Sequence, residues 1–202
     1  LMPMAWAWAD RDIDETKTAN ANGEVKIEIV TGSLKIFGWD REEIRVRGTL
    51  GEDVEEFIFE VDDDDAEIKV KTPRRQRGNV DARAELEISL PAGSSIEAST
   101  ISAPLSVTGI VGPEIELEVV NGKITVEDCR GELRVEAVNG QIDIAGDHPS
   151  VDAESVSGRI NIRSVSREVK AETVSGPIEV YGGMIEECKL ESVSGRIHYE
   201  GG

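Results

Sequence analysis

One short phrase returns five times in the second half of this 202-residue chain. It reads VVNGKITV at 119–126, AVNGQIDI at 137–144, SVSGRINI at 155–162, TVSGPIEV at 173–180 and SVSGRIHY at 192–199. Its glycines Gly122, Gly140, Gly158 and Gly176 stand 18 residues apart, and Gly195 follows after 19. A period held through five copies marks an array whose units cannot bury their apolar faces without neighbours. Upstream the phrase decays to ISAPLSV at 101–107, with Ala103 at the glycine position, and VTGSLKI at 30–36 repeats it near the N-terminus.

Each unit divides in two, because GKITV is followed by GELRV at 131–135, so one unit holds two short strands and two turns. Apolar residues alternate within them, which sets an inward face. That face takes Ile115, Leu133, Val151, Val169 and Cys188 at one position, and Leu117, Val135, Ala153, Ala171 and Leu190 at the next. After the glycine it takes Ile124, Ile142, Ile160, Ile178 and Ile197. The glycines are expected to turn the chain with positive φ after Asn or Ser.

Two all-β architectures satisfy this pattern. In a parallel β-solenoid, a β-helix-like stack, each 18-residue unit is one two-strand coil and equivalent residues stack at about 4.8 Å. In an antiparallel β-meander the Asn-Gly pairs would be hairpin turns, and equivalent residues would lie two strands apart. The columns favour the solenoid: Val120, Val138, Val156, Val174 and Val193 would form an apolar ladder. Asn121, Asn139, Ser157, Ser175 and Ser194 would form a hydrogen-bonding one.

Residues 10–92 form a less regular β-rich part of the same continuous domain, and 93–202 carry the regular coils. Runs such as EVKIEIV, EIRVRGTL and VEEFIFEV alternate apolar and polar between turns. The acid run Asp62 to Asp65 reads as a solvated turn, since the alternating ligand spacing of calcium loops is missing. Arg74, Arg75 and Arg77 read as an exposed basic loop. At the start, LMPMAWAWA at 1–9 ends in Ala7-Trp8-Ala9, small residues one and three positions before a signal-peptidase-like junction at Asp10. It is expected to be the remnant of a secretion signal rather than a strand packed through Trp6 and Trp8, which places the mature chain outside the cytoplasm: periplasmic, at the cell surface or secreted.

Composition narrows the function. A net charge of −19 repels nucleic acid and anionic lipid and attracts basic partners and cations. Aromatics are 4% and no long apolar helical stretch occurs, which argues against a transmembrane segment. Cys129, in a turn, and Cys188, at a core-facing position, read as unpaired thiols. His148 and His198 are the only imidazoles, expected at solvated positions, and no nucleophile elbow or calcium nonapeptide is present. Trp39, Tyr181 and Tyr199 are the rings open to sugar contact, with Phe37, Phe57 and Phe59 assigned to the N-terminal core.

GEVKIEIVTGSLKIFGWDREEIRVRG, the Leu-Pro-Ala-Gly at 90–93 and the S-G-x-I or N-G-x-I repeats together resemble the bacterial putative-adhesin, or toastrack-like, family of β-repeat domains. The resemblance runs from about residue 20 to the end. It implies an exported or envelope-associated β-helical domain and carries over no catalytic residue and no cofactor.

One surface feature is not explained by packing. In the solenoid register Glu118, Glu136, Glu154, Glu172 and Glu191 form an outward column. Neighbouring carboxylates at that spacing repel by about 1 kcal/mol even in water. The adjacent column, Glu116, Arg134, Asp152, Lys170 and Lys189, can neutralise part of it. The column reads either as a charge-laced soluble face or as a linear site for Ca2+, another divalent cation or a basic partner, its carboxyl pKa values then raised when empty. The expected function is a non-enzymatic, extracytoplasmic solenoid presenting a repetitive acidic surface for adhesion, assembly or envelope sensing, with a protein or polysaccharide partner. Self-association through an open final coil is a further expectation. A β-helical polysaccharide-active enzyme is the alternative from another class.

Overall fold

The structure is a computed structural model that describes residues 10–73, 80–163, 167–182 and 185–201. The leader at 1–9 and the arginines 74, 75 and 77 lie outside the described residues. The alternating runs form strands throughout: β1 (Arg11–Thr18), β2 (Glu24–Trp39), β3 (Glu43–Leu50), β4 (Glu56–Asp62) and β5 (Asp65–Lys71). Next come β6 (Ala84–Pro91), β7 (Ser95–Ser102) and β8 (Leu105–Thr108). The regular units each give a longer and a shorter strand. These are β9 (Glu114–Asn121) with β10 (Ile124–Cys129), β11 (Glu132–Asn139) with β12 (Ile142–Gly146), and β13 (Ser150–Ser157) with β14 (Ile160–Arg163). β15 (Glu168–Ser175) with β16 (Ile178–Tyr181), and β17 (Glu187–Ser194) with β18 (Ile197–Glu200), complete the series.

Every strand of a regular unit pairs in parallel with its equivalent one unit away, so Leu133 faces Val151 and Ile124 faces Ile142. This is the solenoid, and the parallel register excludes the meander. The long strands stack as one sheet and the short strands as a second. Their inward ladders meet in a core that includes Leu117, Val135, Ala153 and Ala171 from one and Ile124, Ile142, Ile160 and Ile178 from the other, all buried. A coil alone buries nothing; the stack removes both faces of each ladder from water.

The N-terminal part is more ordered than its sequence. β2 is one complete coil: Glu24–Glu28 pairs with β5 and β7, and its second half pairs with β6 and β8. β5 and β6 supply the next coil on one side, and β7 and β8 return on the other, so the first coil in sequence lies inside the stack. That places Gly32 one residue after the Thr31–Ser102 pair, as the VTGSLKI likeness implies. Beyond β6 the stack turns antiparallel through β3 and β1, and β4 closes on β5 in a hairpin whose tip is Asp63 and Asp64. Phe59 is buried there and Phe57 packs beside it.

The repeat glycines meet the expected positive φ only in part and share a second purpose. Of the five, Gly122 and Gly176 have the expected positive φ, 156° and 153°, a backbone that strains any side-chain-bearing residue, and the other three do not. What each excludes is a side chain: a Cβ on Gly140 would lie 1.8 Å from the Gly122 carbonyl oxygen, and one on Gly158 would lie 1.8 Å from that of Gly140. The column of glycines lets successive coils approach at their corner.

Three further expectations change. Cys129 is not in a turn but ends β10, fully buried, after a bulge in which Asp128 is the extra residue with φ 53°. Cys188 occupies the core column, paired with Val169, yet is exposed because it belongs to the last coil of the stack. His148 is not solvated: it is fully buried, with Nδ1 3.1 Å from the Gly131 carbonyl oxygen, and burial lowers its pKa.

Candidate functional site

Alternation sends every second side chain of the long strands outward, so the outer face carries columns set by coil register. Glu118, Glu136, Glu154, Glu172 and Glu191 are direct partners in successive parallel pairs, as are Glu116, Arg134, Asp152, Lys170 and Lys189. The two columns are laced together. The Lys170 ammonium lies 2.8 Å from Glu154, 3.2 Å from Asp152 and 3.6 Å from Glu172. Lys189 reaches Glu172 at 2.9 Å and Glu191 at 3.3 Å, and Arg134 reaches Glu136 at 2.7 Å. The hydrogen bond from Lys189, aided by the charge of Lys170, holds the Glu172 carboxyl below its ordinary range. That is opposite to the raised carboxyl pKa values expected along the column, because the chain's own ammonium groups stand between the carboxylates. Among the described residues no group of three or more His, Cys, Asp or Glu side chains is placed to hold a metal ion.

Two residues beyond each glutamate stands a valine. The five are 40% to 82% exposed, so the apolar ladder lies on the outside. Ile101 continues it at the coil before Val120 and is exposed as well. The reason is local: after the inward residue at Ala137 the chain presents Val138 and Asn139 outward in succession as it turns the corner, and period-two alternation ends there. Between the walls runs an open groove of about 680 Å³, along the stacking axis and across the strands. Glu136, Glu154, Glu172 and Glu191 line one side, Val138, Val156, Val174 and Val193 the other, with Ala137, Ser155, Thr173 and Ser192 between. The asparagine ladder beyond the valines is made at Asn139, whose Nδ2 donates to Asn121 Oδ1 at 3.1 Å.

Four columns keep a single residue type through all five units: Glu, Val, Gly and Ile. Packing requires the isoleucines and coil approach requires the glycines. The other two face solvent, and over the last four units they are the walls of the groove. Sequence reading found both columns but missed the groove, whose signal was an apolar residue kept in every unit at a position next to the turn.

The remaining candidates are dispersed. Trp39 donates from Nε1 to the Glu43 carbonyl at 2.8 Å and carries the Arg41 guanidinium 4.9 Å above its ring. Tyr181 packs against His198 with ring centroids 5.5 Å apart, while Tyr199 is exposed on the last coil. On the opposite sheet Asp143 is partly desolvated, which raises its pKa, but hydrogen bonds from Lys123, Gln141 and Asn161 bring it below the usual value. Nothing in these places unites a nucleophile with a base.

The family model described as Toastrack DUF4097 matches residues 10–200. The chain belongs to this family. A putative adhesin from Bacteroides fragilis, known from its crystal structure, is similar to this Toastrack chain with TM-score 0.52 and 12% identity, over 96% of this chain and 98% of that one. A putative cell adhesion protein from Clostridium sporogenes gives TM-score 0.49 and 14% identity over 95% and 100%. At 12% identity the likeness to the Bacteroides fragilis protein speaks for the fold alone. No curated protein matches the Toastrack chain in sequence. Among its described residues no helix is long and apolar enough to cross a membrane.

Proposed function

We propose that this Toastrack domain is a non-enzymatic binding module of the adhesion type, working outside the cytoplasm at the cell envelope and presenting a repetitive acidic surface to an extended protein or polysaccharide. The observation that carries this reading is the pair of solvent-facing columns, Glu and Val, repeated in every regular coil where neither packing nor turning demands them. A stack of coils makes such side chains a rigid, evenly spaced row, which suits a ligand that is itself long. The adhesion names of the structural neighbours agree with a binding role, and Ala7 and Ala9 before Asp10 agree with export.

The test immobilises the domain and exposes it to cell-wall polysaccharides and to peptide arrays of graded length, while products are assayed in parallel. Retention that rises with ligand length, without turnover, is the expected result. Cleavage of any glycan, or no retention of any polymer, would contradict the reading. Fractionation of cells making the protein is expected to find it outside the cytoplasm; a cytoplasmic pool alone would remove the envelope part.

A further inference from the structure

Resting on that binding reading, we infer that the groove between the glutamate and valine columns takes a basic, proline-containing polypeptide segment in the polyproline II conformation, with cationic side chains on the Glu side and apolar ones on the Val side.

Charge selects the sign of the partner. The four glutamates of the groove wall carry four negative charges and the residues laced to them, Arg134, Asp152, Lys170 and Lys189, a net of two positive, so the wall stays two charges negative on a chain of net −19. A second copy of this chain would bring one acidic wall against another, so like-charge repulsion argues against it as the occupant. The exposed valines require an apolar complement as well, which a simple cation does not offer.

Groove direction selects the backbone. The groove crosses the strands on the face of a sheet and meets an edge only at β17, whose free N–H and C=O groups run along the coil rather than along the groove, so a chain lying in the groove finds no row of them to pair with. A polyproline II segment needs none, because its backbone stays hydrated. Its spacing also fits. Three residues advance about 9.3 Å, and two coils advance about 9.6 Å, so a cation at every third residue meets a glutamate on every second coil. An extended strand repeats each side at about 6.6 to 6.8 Å and falls out of step with the coils at once.

The test uses a fluorescein-labelled peptide of four Lys-Val-Pro triplets, read by anisotropy at low and moderate salt. Controls are the same composition with its lysines consecutive, the peptide with Glu for Lys, and the peptide with Gly for Pro. The expected result is binding of the triplet peptide, weakened about tenfold or more by Val156→Ser with Val174→Ser, and by Glu154→Gln with Glu172→Gln. Glu60→Gln, on β4 and far from the groove, should leave it unchanged, and circular dichroism checks that each variant is folded. The inference is overturned if the triplet peptide does not bind, if the scrambled peptide binds equally, or if groove variants leave binding unchanged. It is also overturned if the valine variants convert a dimer to a monomer, which would make a second copy the occupant. Retention of polysaccharide that is lost in the same variants would overturn the peptide and leave the binding reading standing; failure of every polymer removes both.

Discussion

Gly158 lies directly over Gly140, so close that a Cβ on Gly158 would stand 1.8 Å from the Gly140 carbonyl oxygen and 2.7 Å from its carbon. That contact sets the coil-to-coil approach at one corner, and backbone cannot yield as a flexible side chain can. Gly158→Ala is therefore expected to cost about 3 kcal/mol or more, as forced overpacking does. Gly109 is the comparison: its φ is 75°, but a Cβ there would meet nothing nearer than 3.6 Å. Gly109→Ala should cost only the left-handed backbone penalty, about 1 to 2 kcal/mol. Urea unfolding of the two variants measures the order, and a harmless Gly158→Ala would refute the steric account.

How far the sequence reveals this molecule depends on whether a feature repeats. Parallel stacking, the charged columns and the asparagine ladder were readable because their residues recur at a fixed interval. The glycine contact was not, since stacking at about 4.8 Å does not say how closely the carbonyl of one coil approaches the next at a corner. Nor was the place of β2 inside the stack, because nothing local says that β5 and β6 pair with its outer side. His148 occurs once, in GDHPS, with no counterpart in other units, so column logic had nothing to say about its burial.

Burial of His148 gives stability a pH dependence. Its folded pKa lies below the ordinary 6.5, so between the two values the unfolded chain binds more protons than the folded one. The contribution is fully present above pH 6.5 and is lost as pH falls below it. Urea midpoints should decline from pH 7 toward pH 5, and His148→Gln should flatten that decline. A midpoint independent of pH in the native chain would contradict the buried neutral imidazole. Losses from Glu172 and Asp143, whose carboxyls are held low, belong to more acid conditions.

Lys170 serves Asp152, Glu154 and Glu172 at once. Lys170→Met should lower Tm by a few degrees at low salt, and the deficit should shrink as salt screens the carboxylates. Adding Glu154→Gln should restore part of it. With the ammonium gone, millimolar calcium should raise the Tm of Lys170→Met more than that of the native chain. Equal calcium response in both would show that Lys170 does not occupy the cation's place.

The two thiols should separate cleanly. Burial pushes both pKa values up, but Cys188 is exposed and Cys129 is fully enclosed. A maleimide is expected to label Cys188 in the folded protein and Cys129 only after unfolding. Labelling of both at one rate would contradict the closed end of β10.

The central claim is that binding strength resides in a row of coils, and length tests it most directly. Duplicating residues 141–158 inserts one unit of 18 residues with its own Glu, Val and Gly, in register with its neighbours. The measurement is anisotropy of a long and a short Lys-Val-Pro peptide on the native and the lengthened domain. The account predicts tighter binding of the long peptide by the lengthened domain, with the short peptide unchanged; equal affinity of both domains for the long peptide would contradict it.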